Sequence, residues 1–95
     1  MILFDYSKAM AQVRELRRIA EDMARMRTQK LNTTIEGIHN SWKGQTSKSF
    51  LVKCDELGAN IDKEVQNIRQ VADLLENKAN IIEREEKEAA RILAN

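Results

Sequence analysis

Cys54 and His39 carry the side chain types that most often serve as nucleophile, general base or metal ligand. The chain contains one cysteine and one histidine, so it cannot form an internal disulfide or assemble a Cys/His metal cluster. The sequence has no Gly-rich phosphate-binding loop, and its carboxylates are spread along the chain. We therefore expect no enzyme activity, no catalytic residues, no metal and no cofactor. Cys54 is interpreted as a small buried hydrophobe and His39 as a solvated residue beside a turn.

A group of arginines in the first half raises the question of nucleic-acid binding (Arg14, Arg17, Arg18, Arg25 and Arg27). Glu15, Glu21 and Asp22 interrupt this group, and no aromatic residue stands within it to stack on a base. Residues 45–95 contain ten acidic and eight basic residues, whereas residues 1–44 contain five and eight. We expect a solvated face paired with the acidic second half, and no nucleic-acid partner.

Trp42 and Gly44 form the most distinctive local pattern, a Trp-x-Gly sequence almost midway along the 95 residues. The chain has one Trp, three Gly and no Pro. Glycine tolerates the left-handed backbone conformation that ends a helix and reverses the chain. The Trp ring has two interpretations that can hold together: it seals the end of a hairpin, or it presents a surface to a partner.

Two long amphipathic segments flank this turn and predict helices. In the second half, apolar residues follow in steps of three or four from Phe50 to Ile82. In the first half, one stripe runs from Tyr6 to Met23 and another from Leu31 to Trp42. The pattern slips out of phase over residues 25–30, so we expect the stripe to drift around the helix there. We predict one domain over 1–95, with helix one at about 5–40, a turn at 41–45 and helix two at about 46–93. Asp5 or Ser7 is expected to cap helix one, and Thr46 or Ser47 helix two.

The predicted fold is all-α, an antiparallel helical hairpin. Two helices alone leave much of each apolar stripe facing water, so we expect dimerisation into an elongated four-helix bundle with coiled-coil-like packing. The composition supports this, since 42% of the residues are hydrophobic but 4% are aromatic. The residues expected in the hairpin core or dimer interface are Val13, Leu16, Phe50, Leu57, Ile61, Val65, Ile68, Leu75 and Ile82.

Helix, Trp-x-Gly turn and helix in a chain of this length resemble the WXG family of early-secreted-antigen-like proteins, substrates of bacterial type VII secretion. Phe50, six residues after Gly44, also fits the family's pattern. The resemblance implies a small, virulence-associated protein exported as a folded homodimer or heterodimer without a cleaved signal peptide, and cytoplasmic before export. No segment approaches the roughly 20 apolar residues needed to span a bilayer, and residues 1–4 lack the features of a secretory signal.

The family's export signal combines the Trp-x-Gly turn of one subunit with a Tyr-x-x-x-Asp/Glu tail after helix two of its partner. Residues 83–91 contain no Tyr or Phe. Either the signal is degenerate, or the tail lies beyond this chain, or a partner carries it. The resemblance implies a secreted dimeric effector or adaptor. The alternatives are a co-secreted partner of a larger type VII toxin and a cytosolic helical adaptor or chaperone-like scaffold.

Overall fold

The computed structural model describes residues 3–42 and 44–94, without the side chains of residues 45–47. Helix α1 spans Tyr6–Met26, a π-helical turn spans Arg27–Leu31, α2 spans Asn32–Ser41, and α3 spans Gln45–Ala94. The first three elements form one continuous arm, and α3 runs back along it as the second arm. The molecule measures 78 × 17 × 16 Å, as expected when one helix of 50 residues sets its length. The predicted all-α helical hairpin is confirmed, whereas the four-helix bundle stays a prediction.

Local chemistry fixes where the first arm begins. A carboxylate oxygen of Asp5 accepts a hydrogen bond from the backbone N–H of Lys8 at 2.9 Å, so Asp5 is the N-cap of α1. Beside it, the Tyr6 hydroxyl donates to the side chain of Asn80 at 2.6 Å. The hydrogen bond from Tyr6 to Asn80 joins the two arms near the open end of the hairpin. The caps proposed for helix two, Thr46 and Ser47, fall among the side chains outside the described set.

The seam between the two arms is built from small apolar side chains. Val13 and Ala20 on α1 face Val65, Ala72 and Ala79 on α3, and each of these side chains is at most 4% exposed. On each helix the buried positions recur every seven residues, the spacing of left-handed helix pairing. Small side chains let the helices approach closely, but they bury little apolar area. The larger apolar residues therefore lie beside the seam, where the single chain covers them only in part.

The π turn explains the phase slip in the first half of the sequence. Seam positions on the first arm run 13, 20 and 27, and then 35 and 42, so one step is eight residues long. The companion row of half-buried residues makes the same slip between Met23 and Leu31. One π-helical turn takes up one extra residue, and here the backbone N–H of Asn32 donates to the carbonyl of Arg27, five residues back. The stripe therefore does not drift around the helix, as the sequence pattern suggested, but is brought back onto the seam.

One flank of the hairpin is closed by ion pairs between the arms. The Arg17 guanidinium lies 2.8 Å from an oxygen of Asp73 and 2.7 Å from an oxygen of Glu76. A guanidinium nitrogen of Arg69 lies 3.9 Å from an oxygen of Glu21 on the same flank. Hydrogen bonds from Arg17 to Asp73 and Glu76 raise the pKa of Arg17. We call this the charged flank. Its pairs are largely solvated, so they orient the helices more than they stabilise them.

The opposite flank is apolar and open. A cleft of about 250 Å³ lies there, lined by residues of both arms that include Phe4, Val13, Leu75 and Ile82. Val71 is 47% exposed and Leu75 is 46% exposed, and helical spacing places Val71 on the same side of α3 as Leu75 and Ile82. We call this surface the apolar flank. Residues of this size half-exposed in one continuous row are typical of a surface that another protein covers.

Candidate functional site

The closed end of the hairpin, which we call the tip, carries two aromatic rings. Trp42 and Phe50 pack edge to face, with ring centroids 6.0 Å apart and an angle of 70° between their planes. This geometry aligns the positive edge of one ring with the negative face of the other. Trp42 is nevertheless 55% exposed and Phe50 52% exposed. The rings therefore hold each other in place while keeping about half of their surface available.

The backbone at this end positions the Trp42 ring. Trp42 donates its N–H to the carbonyl of Ile38 at 2.8 Å and then leaves the helix with φ −99° and ψ 129°. Gly44 has φ 98°, in the left-handed region that L side chains rarely adopt. The chain turns here and enters α3 at Gln45. Lys43, the middle residue of the Trp-x-Gly sequence, lies outside the described residues.

A shallow apolar groove runs below the ring pair. Ile38 and Trp42 form its wall on the first arm, Phe50 and Cys54 form the wall on α3, and its volume is about 190 Å³. Ile38 and Cys54 are half-buried, whereas Trp42 and Phe50 are about half exposed. The site thus combines a hydrophobic surface with a rigid aromatic edge, which suits recognition of another apolar group.

His39 and Cys54 both lie near the closed end of the hairpin. His39 is exposed on α2, and Cys54 is a free, half-buried thiol in the groove. Within residues 3–42 and 44–94, no three His, Cys, Asp or Glu side chains converge as metal ligands. The groove is lined by apolar groups and a thiol, a lining that suits contact with another apolar group.

Arginines of the first half form two kinds of ion pair. Arg17 and Arg27 pair with carboxylates of α3, as expected for a face opposite the acidic second half. Arg18 and Arg25 instead pair with acids of their own helix. The hydrogen bond from Arg18 lowers the pKa of Glu15 below its ordinary value. On α3, the hydrogen bond from Arg91 lowers the pKa of Glu88 in the same way.

The residues expected in the hairpin core or dimer interface occupy three environments. Val13 and Val65 are buried in the seam. Half-buried beside it are Leu16, Ile61, Ile68 and Ile82. About half-exposed in the single chain are Phe50, Leu57 and Leu75. Phe50 belongs to the ring pair, and Leu75 lies on the apolar flank. Their participation in a dimer stays a prediction, as does the role of Trp42 and Gly44 in export.

Sequence reasoning missed a polar contact inside the seam. The Arg27 side chain, which is 19% exposed, donates from Nε to the carbonyl of Gly58 at 3.0 Å, and the same Nε lies 3.2 Å from a carboxylate oxygen of Asp62. Gly58 is buried, and a Cβ at this position would overlap the Arg27 guanidinium. A signal was present in the spacing. Arg27 follows Ala20 by seven residues, and Gly58 precedes Val65 by seven.

The molecule is a long helical hairpin whose closed end carries the Trp-x-Gly sequence and an exposed pair of aromatic rings. This chain belongs to the WXG100 family, described as proteins of 100 residues with WXG, whose family model matches residues 4–87. The family comprises type VII secretion substrates, which are not known enzymes. No curated protein and no solved structure matches the chain. In the described part of the chain, no helix contains a segment long and apolar enough to cross a membrane.

Proposed function

We propose that a bacterial type VII secretion system exports this chain in folded form, and that the chain then acts through protein contacts as an effector or adaptor. Membership of a family of secretion substrates supports the export step. The exposure of Trp42 is the main observation that supports a role of the tip in export. A Trp that served packing alone would be far more buried than 55% exposed. The protein reaches the outside from the cytoplasm without a cleaved signal peptide.

The exported species is a dimer joined through the apolar flank. Dimers are typical of the family, and the cleft on this flank is lined by residues of both arms. Pairing two such flanks produces a four-helix bundle, in which each hairpin covers the other. The tip lies at the end of the bundle, so the secretion machinery can reach the Trp42–Phe50 surface in the dimer.

The tip is tested by comparing Trp42→Ala with Val52→Ala. Val52 is 56% exposed on the same turn of α3 as Phe50 but does not line the groove, so it controls for loss of an exposed apolar side chain. Truncating a half-exposed Trp should cost about 2 kcal/mol, less than for a buried one. We expect Trp42→Ala to remain a helical dimer and to disappear from the culture supernatant. Val52→Ala should be exported normally. Normal export of both variants would remove the tip from the export signal.

The apolar flank also fits a second candidate function, that of a co-secreted partner for the helical targeting domain of a larger toxin. The two functions differ in what covers the flank. If the purified chain sediments as a monomer at micromolar concentration and forms a dimer only with a related helical chain, the partner role holds. A stable homodimer favours the effector or adaptor role. Supernatant that contains the chain only when the secretion ATPase is intact separates both from a cytosolic scaffold.

A further inference from the structure

Arg27 connects three parts of the hairpin through one guanidinium. Its Nε donates to the backbone carbonyl of Gly58 on α3 and lies close to the Asp62 carboxylate. Its Nη1 donates to the side chain of Asn32, the first residue after the π turn. One side chain therefore ties both ends of the π turn to a fixed point on the opposite helix. We call this set of contacts the Arg27 lock.

Apart from hydrogen bonds at the open end of the hairpin, such as that from Tyr6 to Asn80, the contacts outside the lock do little to fix how far one arm slides along the other. The seam consists mostly of Ala and Val, whose smooth surfaces resist sliding less than interlocking large side chains. The other ion pairs between the arms are largely solvated, and such pairs shift with little cost. In contrast, the Gly58 carbonyl belongs to the helix backbone and cannot change rotamer. Arg27 is held against it at 3.0 Å in a partly buried position.

The ring pair at the tip requires that axial alignment. The short helix α2 separates the π turn from Trp42. The Trp42 ring packs against the Phe50 ring of α3, with the two ring centroids 6.0 Å apart. Sliding one arm by a single helical turn displaces it by about 5.4 Å, nearly the whole distance between the ring centroids. A one-turn slip would therefore separate the rings and open the groove beneath them.

We propose that the Arg27 lock is a positioning device, which holds the two arms in the alignment that pairs Trp42 with Phe50. Gly58 takes part because its missing Cβ leaves the space that the guanidinium occupies. By positioning the ring pair, the lock also determines the surface that the secretion machinery contacts. This last step rests on the proposed function, whereas the alignment of the rings does not depend on it.

The test changes the lock from each of its two sides and measures the rings. Arg27→Met keeps an apolar stem but removes the guanidinium. Gly58→Ala keeps Arg27 but fills its space, and it favours the helix, so it guards against a simple failure to fold. Arg25→Met is the matched control, because Arg25 is exposed and pairs with Glu21 and Asp22 of its own helix.

The readouts are the nuclear Overhauser contacts between the two rings and the quenching of the single Trp by acrylamide. Both lock variants should lose most of the ring contacts, and quenching should rise by up to about twofold, because 55% of Trp42 is already exposed. Arg25→Met should match the unmodified protein. If the ring contacts persist in either lock variant while only the melting temperature changes, Arg27 is a stabilising residue and the proposal is wrong.

Measuring export of the same variants distinguishes the proposal for the Arg27 lock from the proposed function of the tip. If ring contacts are lost and export falls to the level of Trp42→Ala, the lock acts on the export surface. If ring contacts are lost and export is unchanged, the link from the lock to export is overturned. If Trp42→Ala itself is exported normally, the proposed function of the tip fails, whereas the ring measurements still decide whether the lock aligns the arms.

Discussion

Deleting one residue from the π turn should leave the hairpin intact. Gln29 is exposed within the turn, and its removal changes the eight-residue step of the seam to seven. The first arm can then run as a regular α-helix, with Ile35 and Trp42 still directed at α3. The matched control deletes Gln70, an exposed glutamine in the middle of α3, where no turn can take up the change.

The two deletions should differ greatly in their effect on the free energy of unfolding. Removing Gln29 replaces one π-helical turn by α-helical hydrogen bonding, so stability should change by no more than about 1.5 kcal/mol. Removing Gln70 places Asp73 in the fully buried position of Ala72 and Asn80 in that of Ala79. Burying a carboxylate and an amide without partners costs more than about 5 kcal/mol together, comparable with the whole stability of a small domain.

Circular dichroism and thermal unfolding distinguish these outcomes. The Gln29 deletion should keep the helical signal and a cooperative transition within several degrees of the unmodified protein. The Gln70 deletion should lose cooperative unfolding. The reasoning fails if both deletions are equally damaging, because the π turn would then do more than absorb one residue. It fails as well if the Gln70 deletion unfolds like the unmodified chain.

Three further predictions concern the flank, the turn and acid. Leu75→Asp should abolish the dimer measured by sedimentation equilibrium, whereas Leu74→Asp on the outer face should not; equal behaviour would place the interface elsewhere. Gly44→Ala should lower stability by more than about 1 kcal/mol from positive φ alone, since its Cβ meets no atom within 4 Å. Gly37→Ala, equally open but helical, should raise it by up to about 1 kcal/mol. Acid should destabilise the fold. The hydrogen bond from Arg18 lowers the folded-state pKa of Glu15, so the stabilisation from this pair is present at neutral pH and is lost as the pH falls through that lowered pKa. A melting temperature that rises on acidification would contradict this.

The hairpin could be predicted from the sequence because its signals are local. Stripes in steps of three and four specify helices, and a Gly beside the single Trp specifies where the chain reverses. The Arg27 lock could not be predicted in the same way. An arginine is ordinarily assigned to a solvated face, and Gly58 looked like a weak point in a helix. Their complementarity depends on which residues the antiparallel pairing brings opposite each other, and the stripes do not specify that alignment to within a turn.

The phase slip shows what a pattern can and cannot specify. The sequence locates the extra residue, since the steps between seam positions are seven on either side of Arg27–Leu31. It does not choose between a stripe that drifts and a turn that absorbs the residue. In the structure a π turn absorbs the residue, and two hydroxyl hydrogen bonds accompany it. The Thr28 hydroxyl donates to the carbonyl of Ala24 and the Thr33 hydroxyl to that of Gln29.

The two flanks together explain why folding and association should be coupled in this protein. The seam of Val and Ala buries little apolar area, and ion pairs close one flank without adding much stability. In the proposed dimer, a second hairpin would cover the large apolar side chains on the other flank and so add to the hydrophobic stabilisation. Because that proposed contact runs along the side of the molecule, it would leave the Trp42–Phe50 tip exposed. Dimerisation and the proposed recognition of the tip would then use different surfaces.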